Sequence, residues 1–309
     1  MILFQYLLRR TITAFLLVIT ITALVFVMLR VALPGDPAVL MAGDRASPEL
    51  IEQIRENLGL NRPIPEQLLL FGVHALQGDL GRSVKFGEPV FSVILKAFPF
   101  TVLLTILSVA IGTAIGLGVG VLTAVKRGTW IDKVSIVFVV FFYSIPTFWL
   151  GTMLILVFAV GLRILPVQGS QTWQHFVLPV TTLSIGEAAL IARLTRANML
   201  EALSAPYIQT ARAKGLSNRR VITTHALRNT LIPVVTVAGL SLGGLLGGAV
   251  ITESIFGLPG VGRLSIQAIL DRDYPMIQGT VLLVAVAFVF VNLVVDVLYL
   301  YLDPRIRYS

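Results

Sequence analysis

Chemistry at neutral pH would have to start from three histidines, His74, His175 and His225, because the 309 residues contain no cysteine. The histidines are scattered along the chain, without metal-ligand spacing and without a paired carboxylate. Disulfides, thiolate metal sites and cysteine catalysis are excluded outright. The serines follow no nucleophile-elbow pattern, and no Gly-x4-Gly-Lys-Ser/Thr loop is present to cradle phosphates. What remains is a small set of polar residues inside strongly apolar runs: Glu187, Asn292 and Asp296. A charge near a bilayer centre costs roughly 2.5–3.5 kcal/mol unless it meets a partner or water. Glu187 would therefore line a cavity or enter a buried ion pair. Asn292 and Asp296 are four apart on one helix face, so they would line a pathway or hydrogen-bond a neighbouring helix.

The elements that must carry these residues are membrane spans. The chain is 56% hydrophobic and 13% charged, far from the roughly one-quarter charged composition of soluble domains. Apolar runs near 10–31, 98–125, 134–160, 176–199, 229–252 and 279–302 predict about six transmembrane helices in an all-α membrane protein, at about 20 residues per crossing. Arg9 and Arg10 before the first run resemble a secretory signal. The run is too long and lacks a small-x-small cleavage site, so it is expected to be retained as the first span.

The net charge of +8 reads as topology rather than nucleic-acid binding. With the N-terminus inside, fourteen of the 24 basic residues fall on the cytoplasmic side with three acids, +11 in all, while the outer side sums to −1. Both termini are thus expected in the cytoplasm, with the protein multi-pass in a bacterial or archaeal inner membrane. The outer loop 32–97 is too long for a hairpin. It holds a helix signal with Ser47 as N-cap, Pro48 in the first turn and Gly59 as terminator, which predicts a small cap that seals the outer face or touches a partner.

Glycines recur every four residues at 112, 116 and 120, and again at Gly239, Gly243 and Gly247, with a parallel row at 244 and 248. Each row makes a flat helix face for close approach of another backbone. Packing inside one chain and a seam or gate against a second subunit both fit that pattern. No repeat of solenoid length is visible, so residues 1–309 are read as a single membrane domain.

The most informative polar segment lies between the fourth and fifth spans, within 204–228. Tyr207, Thr210, Ala211, Arg212, Ala213 and Lys214 belong to a short basic helix, and Gly215 offers a left-handed break. Leu216 and Ser217 lead into a second short helix, capped by Ser217 or Asn218. Two short helices with a sharp bend suit a groove, although a solvated loop at lipid headgroups has the same composition.

The run Thr-Ala-Arg-Ala-Lys-Gly-Leu-Ser at 210–217, followed by His-Ala-Leu-Arg-Asn-Thr-Leu-Ile-Pro at 225–233, resembles the cytoplasmic loop of the dipeptide, oligopeptide and nickel permease family of ABC importers. In the wider importer loop pattern Ala211, Gly215 and Leu227 match. Gln209, Thr210, His225 and Arg228 depart from it in the manner of the peptide subfamily. Pro34-Gly-Asp-Pro37, Leu58-Gly-Leu-Asn-Arg-Pro63, Gly78-Asp-Leu-Gly81, Tyr143-Ser-Ile-Pro-Thr-Phe-Trp149, Leu258-Pro-Gly-Val-Gly-Arg263, Arg272-Asp-Tyr-Pro275, Asn292-Leu-Val-Val-Asp296 and Asp303-Pro-Arg305 extend the resemblance over nearly the whole chain.

The resemblance implies a type I importer permease fold and the first permease subunit of a pair. It also implies a homologous second permease, two cytoplasmic ATPase subunits and an extracytoplasmic substrate-binding protein, with the loop around Gly215 as coupling element. The chain would hold no cofactor and would not be an enzyme; ATP and Mg would sit on the partner subunits. Dipeptides, longer peptides, glutathione or nickel chelates would be the cargo. An ion-driven secondary transporter, in which Glu187 and Asp296 carry protons or ions, is the rival reading, and a sensory or scaffolding membrane protein is a third.

Overall fold

The computed structural model describes residues 2–31, 38–39, 47–57 and 59–302. The motifs at 34–37 and 303–305 lie outside them. The helices are α1 (Ile2–Val31), α2 (Pro48–Asn57), α3 (Ile64–Leu76), α4 (Val90–Val125), α5 (Trp130–Ser144), α6 (Thr147–Leu154), α7 (Gln174–Ser204), α8 (Pro206–Ala213), α9 (Leu227–Gly248), α10 (Val250–Ile255), α11 (Val261–Leu270) and α12 (Tyr274–Leu302). A π-helical stretch, Ile155–Gly161, continues α6, and another, Val221–Ala226, joins the turn Asn218–Arg220 to α9. Among the described residues the one β contact is an isolated bridge between Arg82 and Pro89.

Among the described residues five helices are long and apolar enough to cross a membrane, and six when the bent pair α5–α6 is counted as one span. That pair corrects the continuous third span expected over 134–160, because its halves meet at 99°. Pro146 lacks an N–H and its ring disfavours helical dihedrals at the residue before it, so Ile145 is extended at φ −75° and ψ 126°. The fifth span is also corrected. Its helix starts at Asn218 rather than near 229 and closes at Gly248, before the separate α10. Hydropathy measures the lipid-length part of a helix and is blind to polar turns that extend it.

The chain packs as two compact units. The first comprises residues 1–101 and 259–289, and its core joins Leu29, Ile94, Leu264, Met276 and Ile277. Here the cap helix α2 has the predicted start: the Leu50 N–H donates to Ser47 Oγ at 3.3 Å, and Gly59 follows at φ 64°. Gln67, 8% exposed, donates to the carbonyls of Leu60 and Arg62 and so braces the turn between α2 and α3. Two segments far apart in sequence meet at Asp273. Its carboxylate accepts from the Ser83 hydroxyl, from the Lys85 N–H at 3.3 Å and from the Met276 N–H at 3.2 Å, which caps the start of α12. Lys85 and Asp271 pair beside it at 2.5 Å.

The second unit comprises residues 102–258 and 290–309. Within it α4 and α7 approach closely. A Cβ on Gly112 would come within 2.9 Å of the Ser184 carbonyl oxygen, one on Gly116 within 2.6 Å of Ala188 O, and one on Gly120 within 2.7 Å of Ala192 O. The first glycine row therefore packs inside the chain, one of the two readings its spacing allowed. The Ser184 hydroxyl, donating to Ser108 O at 3.1 Å, adds a polar tie where lipid offers no competing partner.

Candidate functional site

The segment at 204–228 folds into an elbow whose geometry follows from turn chemistry. Ala205, extended at ψ 149°, ends α7, and Pro206 starts α8 at a position where its missing N–H costs nothing. At the other end Gly215 has φ 76°, its N–H donates to Arg212 O at 2.9 Å, and the Leu216 N–H reaches back to Ala211 O at 3.3 Å. This pair of bonds is a Schellman stop, which needs a left-handed residue. Nothing lies within 4 Å of a Cβ placed on Gly215, so the requirement is conformational and not steric. Ser217 caps the following helix by backbone geometry alone, without a side-chain bond. That following helix is not the short one expected from sequence: it continues through Val221–Ala226 into α9. Nothing in 218–248 stops it, and Pro233 is accommodated inside it.

Two faces of the elbow differ sharply. Ile208 and Ala211 are buried with Met199, Ala202, Val221 and Ala226, with Leu216 packed against them. Ala211, one of the sequence-selected contact residues, is thus a core residue of the elbow, and Leu216 is half-buried. Tyr207, Thr210, Arg212, Ala213, Lys214, Gly215 and Ser217 are exposed, and Arg219 and Arg220 add charge to the same loop. The Asn229 amide donates to the Tyr207 hydroxyl at 2.9 Å, linking the first turn of α8 to α9. The arrangement is a rigid basic knob on an apolar root, suited to docking and without groups placed for bond-making chemistry.

Glu187 lies near the middle of the 31-residue α7 and is 8% exposed. Gly112 lets α4 press against its Cβ and Cγ, its Oε1 is buried without a hydrogen-bond partner, and Ser241 on α9 borders the same space. A cavity of about 330 Å³ adjoins it, lined by Thr147, Thr182, Gly186, Ser241 and Gly244 among others. Asn292 and Asp296 are not part of that lining. Asn292 is half-buried with an unpartnered Oδ1, and Asp296 is half-buried with an interaction of its own. Val295 between them is buried against Gly239 of α9. Gly239 and Gly243 are both buried within the chain, which favours packing inside one subunit at those two positions, while Gly244 faces open space. Gly247 lies on the same helix.

One pair escaped sequence reading. Asp132, 4% exposed in the first turn of α5, accepts from Arg196 Nε at 2.8 Å and Nη2 at 3.0 Å and from the Gly128 N–H at 3.0 Å. The fork-to-carboxylate geometry clamps the first turn of α5 to α7. Both residues count merely as edge charges in sequence, and 64 residues separate them. No periodicity signals such a pair.

The bundle of apolar helices with its basic elbow is the setting in which the comparisons with known proteins are placed. Residues 116–308 match the family described as binding-protein-dependent transport system inner membrane component, and residues 3–105 match the N-terminal region of the same kind of membrane component. The chain belongs to this family and is the permease subunit of a binding-protein-dependent ABC importer. It is 43% identical over 305 residues, 99% of each chain, to the glutathione transport system permease protein GsiC of Escherichia coli strain K12. The protein of the same name from Pectobacterium atrosepticum is 44% identical over 294 residues, 95% of each chain. A chain of the inward-facing MetNI methionine ABC transporter superposes with a TM-score of 0.58 at 25% identity, covering 70% of this chain and 99% of that one.

Proposed function

We propose that this permease forms half of a pathway for peptides or a similar small solute, with glutathione as the first cargo to test. Its partners would be a homologous second permease, two cytoplasmic ATPase subunits carrying ATP and Mg, and an extracytoplasmic binding protein. The full-length likeness to permeases named for glutathione transport carries the cargo reading. In this reading the chain is one membrane domain in the inner membrane, performs no hydrolysis itself, and presents the exposed face of the elbow to an ATPase groove. The basic residues clustered on the elbow support a cytoplasmic position for it.

The decisive experiment is reconstitution with the partner subunits in proteoliposomes. ATP-dependent, binding-protein-dependent uptake of glutathione is expected. Uptake driven by an ion gradient without the ATPases would establish the secondary-transporter reading instead. Because the chain lacks cysteine, single thiols at 52 and 218 report orientation: an impermeant reagent should label the first in intact cells and spare the second. Equal labelling would reverse the topology.

A further inference from the structure

The cavity beside Glu187 has the composition of a receptor for a cation with hydrogen-bond donors. Its polar lining is one carboxyl and three hydroxyls, from Thr147, Thr182 and Ser241, and among the described residues no basic side chain borders it. Thr182 already donates to Leu178 O at 2.8 Å, which leaves its oxygen as an acceptor. Glu187 is more than nine-tenths buried and its Oε1 has no partner. A carboxylate held in that state is costly unless it takes up a proton or a cation is supplied, and a cationic cargo supplies the second. The space is kept open by glycine: a Cβ on Gly186 or on Gly244 meets nothing within 4 Å. Hard metal ions seek six or more oxygens, several of them charged, which a single carboxylate with hydroxyls does not offer. A protonated amine carries three N–H donors on a compact charge and matches one carboxylate and neighbouring hydroxyls. At about 330 Å³ the cavity admits an amino-acid-sized head.

We propose that this cavity is an intramembrane subsite for the protonated amino group of the cargo, with Glu187 as its counter-charge. The proposal rests on the permease reading above. Selection would then operate inside the membrane as well as on the binding protein, and solutes without a free amine would pass poorly.

The test uses the assembled complex, with cysteine-free partners and Gly244→Cys as the single thiol. Two thiosulfonate reagents are compared, one bearing a trimethylammonium head and one a sulfonate head, each normalised to its rate with a free thiol. The cationic reagent should react about tenfold faster or more, as expected for a cleft of one charge. Adding Glu187→Gln should bring the ratio near one. Glycinamide at high concentration should slow the reaction, and N-acetylglycinamide should not. Equal rates for the two reagents, a preference that survives Glu187→Gln, or equal protection by the two amides would each overturn the subsite. Gly186→Cys, also facing open space, serves if the first variant fails to assemble. Binding-protein-stimulated ATPase activity is measured alongside: its loss in the parent complex defeats the permease reading, whereas intact stimulation without charge preference defeats the subsite alone.

Discussion

The glycines of α4 and those of α9 share the same four-residue spacing, yet they do different work. On α4, Gly112, Gly116 and Gly120 face the backbone of α7, and the atoms in the way of any added side chain include main-chain carbonyl oxygens. On α9, Gly239 faces the Val295 side chain, and Gly244, one step around the helix, faces open cavity. Backbone cannot yield by rotating a side chain, so the first row is a rigid joint. The second is a surface with one face packed and another left empty. Small residues at helical spacing announce closeness, and what is close decides whether they are structural or serve space.

Substitutions can break this contrast, beginning with the joint. Gly116→Leu should be the most damaging, about 3 kcal/mol or more, because α4 and α7 must separate. Purified yield and thermal midpoint should both fall sharply, and a midpoint near that of the parent would remove the joint. Gly239→Ala should cost less, about 1–2 kcal/mol, since overpacking is partly offset by the better helix propensity of alanine. Here the clash is with a side chain, so Val295→Ala should restore most of the loss in a double-mutant cycle. No rescue would mean that the backbone itself is obstructed.

Gly215 adds a third kind of glycine, required by dihedral angle where space is free. Gly215→Val should strain the elbow by roughly 1 kcal/mol or more without shifting the midpoint of the membrane helices, while ATPase retention and uptake fall together. Gly215→Asn should keep much of both activities, because asparagine tolerates left-handed dihedrals. Equal loss in both variants would point to a missing contact rather than to backbone strain. The smallest effect is expected at Gly244→Ala: stability unchanged, or raised by up to about 1 kcal/mol from helix propensity. A large loss there would show that the face is occupied in the assembled complex.

The elbow shows how far reading residues alone can go. Its stop at Gly215 and the Ser47 cap in the outer loop are local matters of few residues, and each was legible. Which side of α8 faces inward was not. Ala211 was selected as a contact residue with its neighbours, and the structure buries it against Val221 and Ala226. The bend at Ile145–Pro146 was within reach, because proline restrains its predecessor, but a long apolar run masked it. Asp132 with Arg196 had no local signature at all.

Taken by itself, the sequence determined the membrane class, the approximate spans, the charge asymmetry and the turn at Gly215, because these depend on hydropathy summed over windows and on turn chemistry within a few residues, and its motifs pointed to the family. The tertiary structure alone decided that Gly112 meets Glu187, that this acid keeps an unpartnered oxygen beside a cavity, and that Asn292 and Asp296 stand apart from it. Those outcomes depend on helix rotation and crossing between segments far apart in the chain. Spacing within one helix says which residues share a face, and packing against another helix says what that face meets.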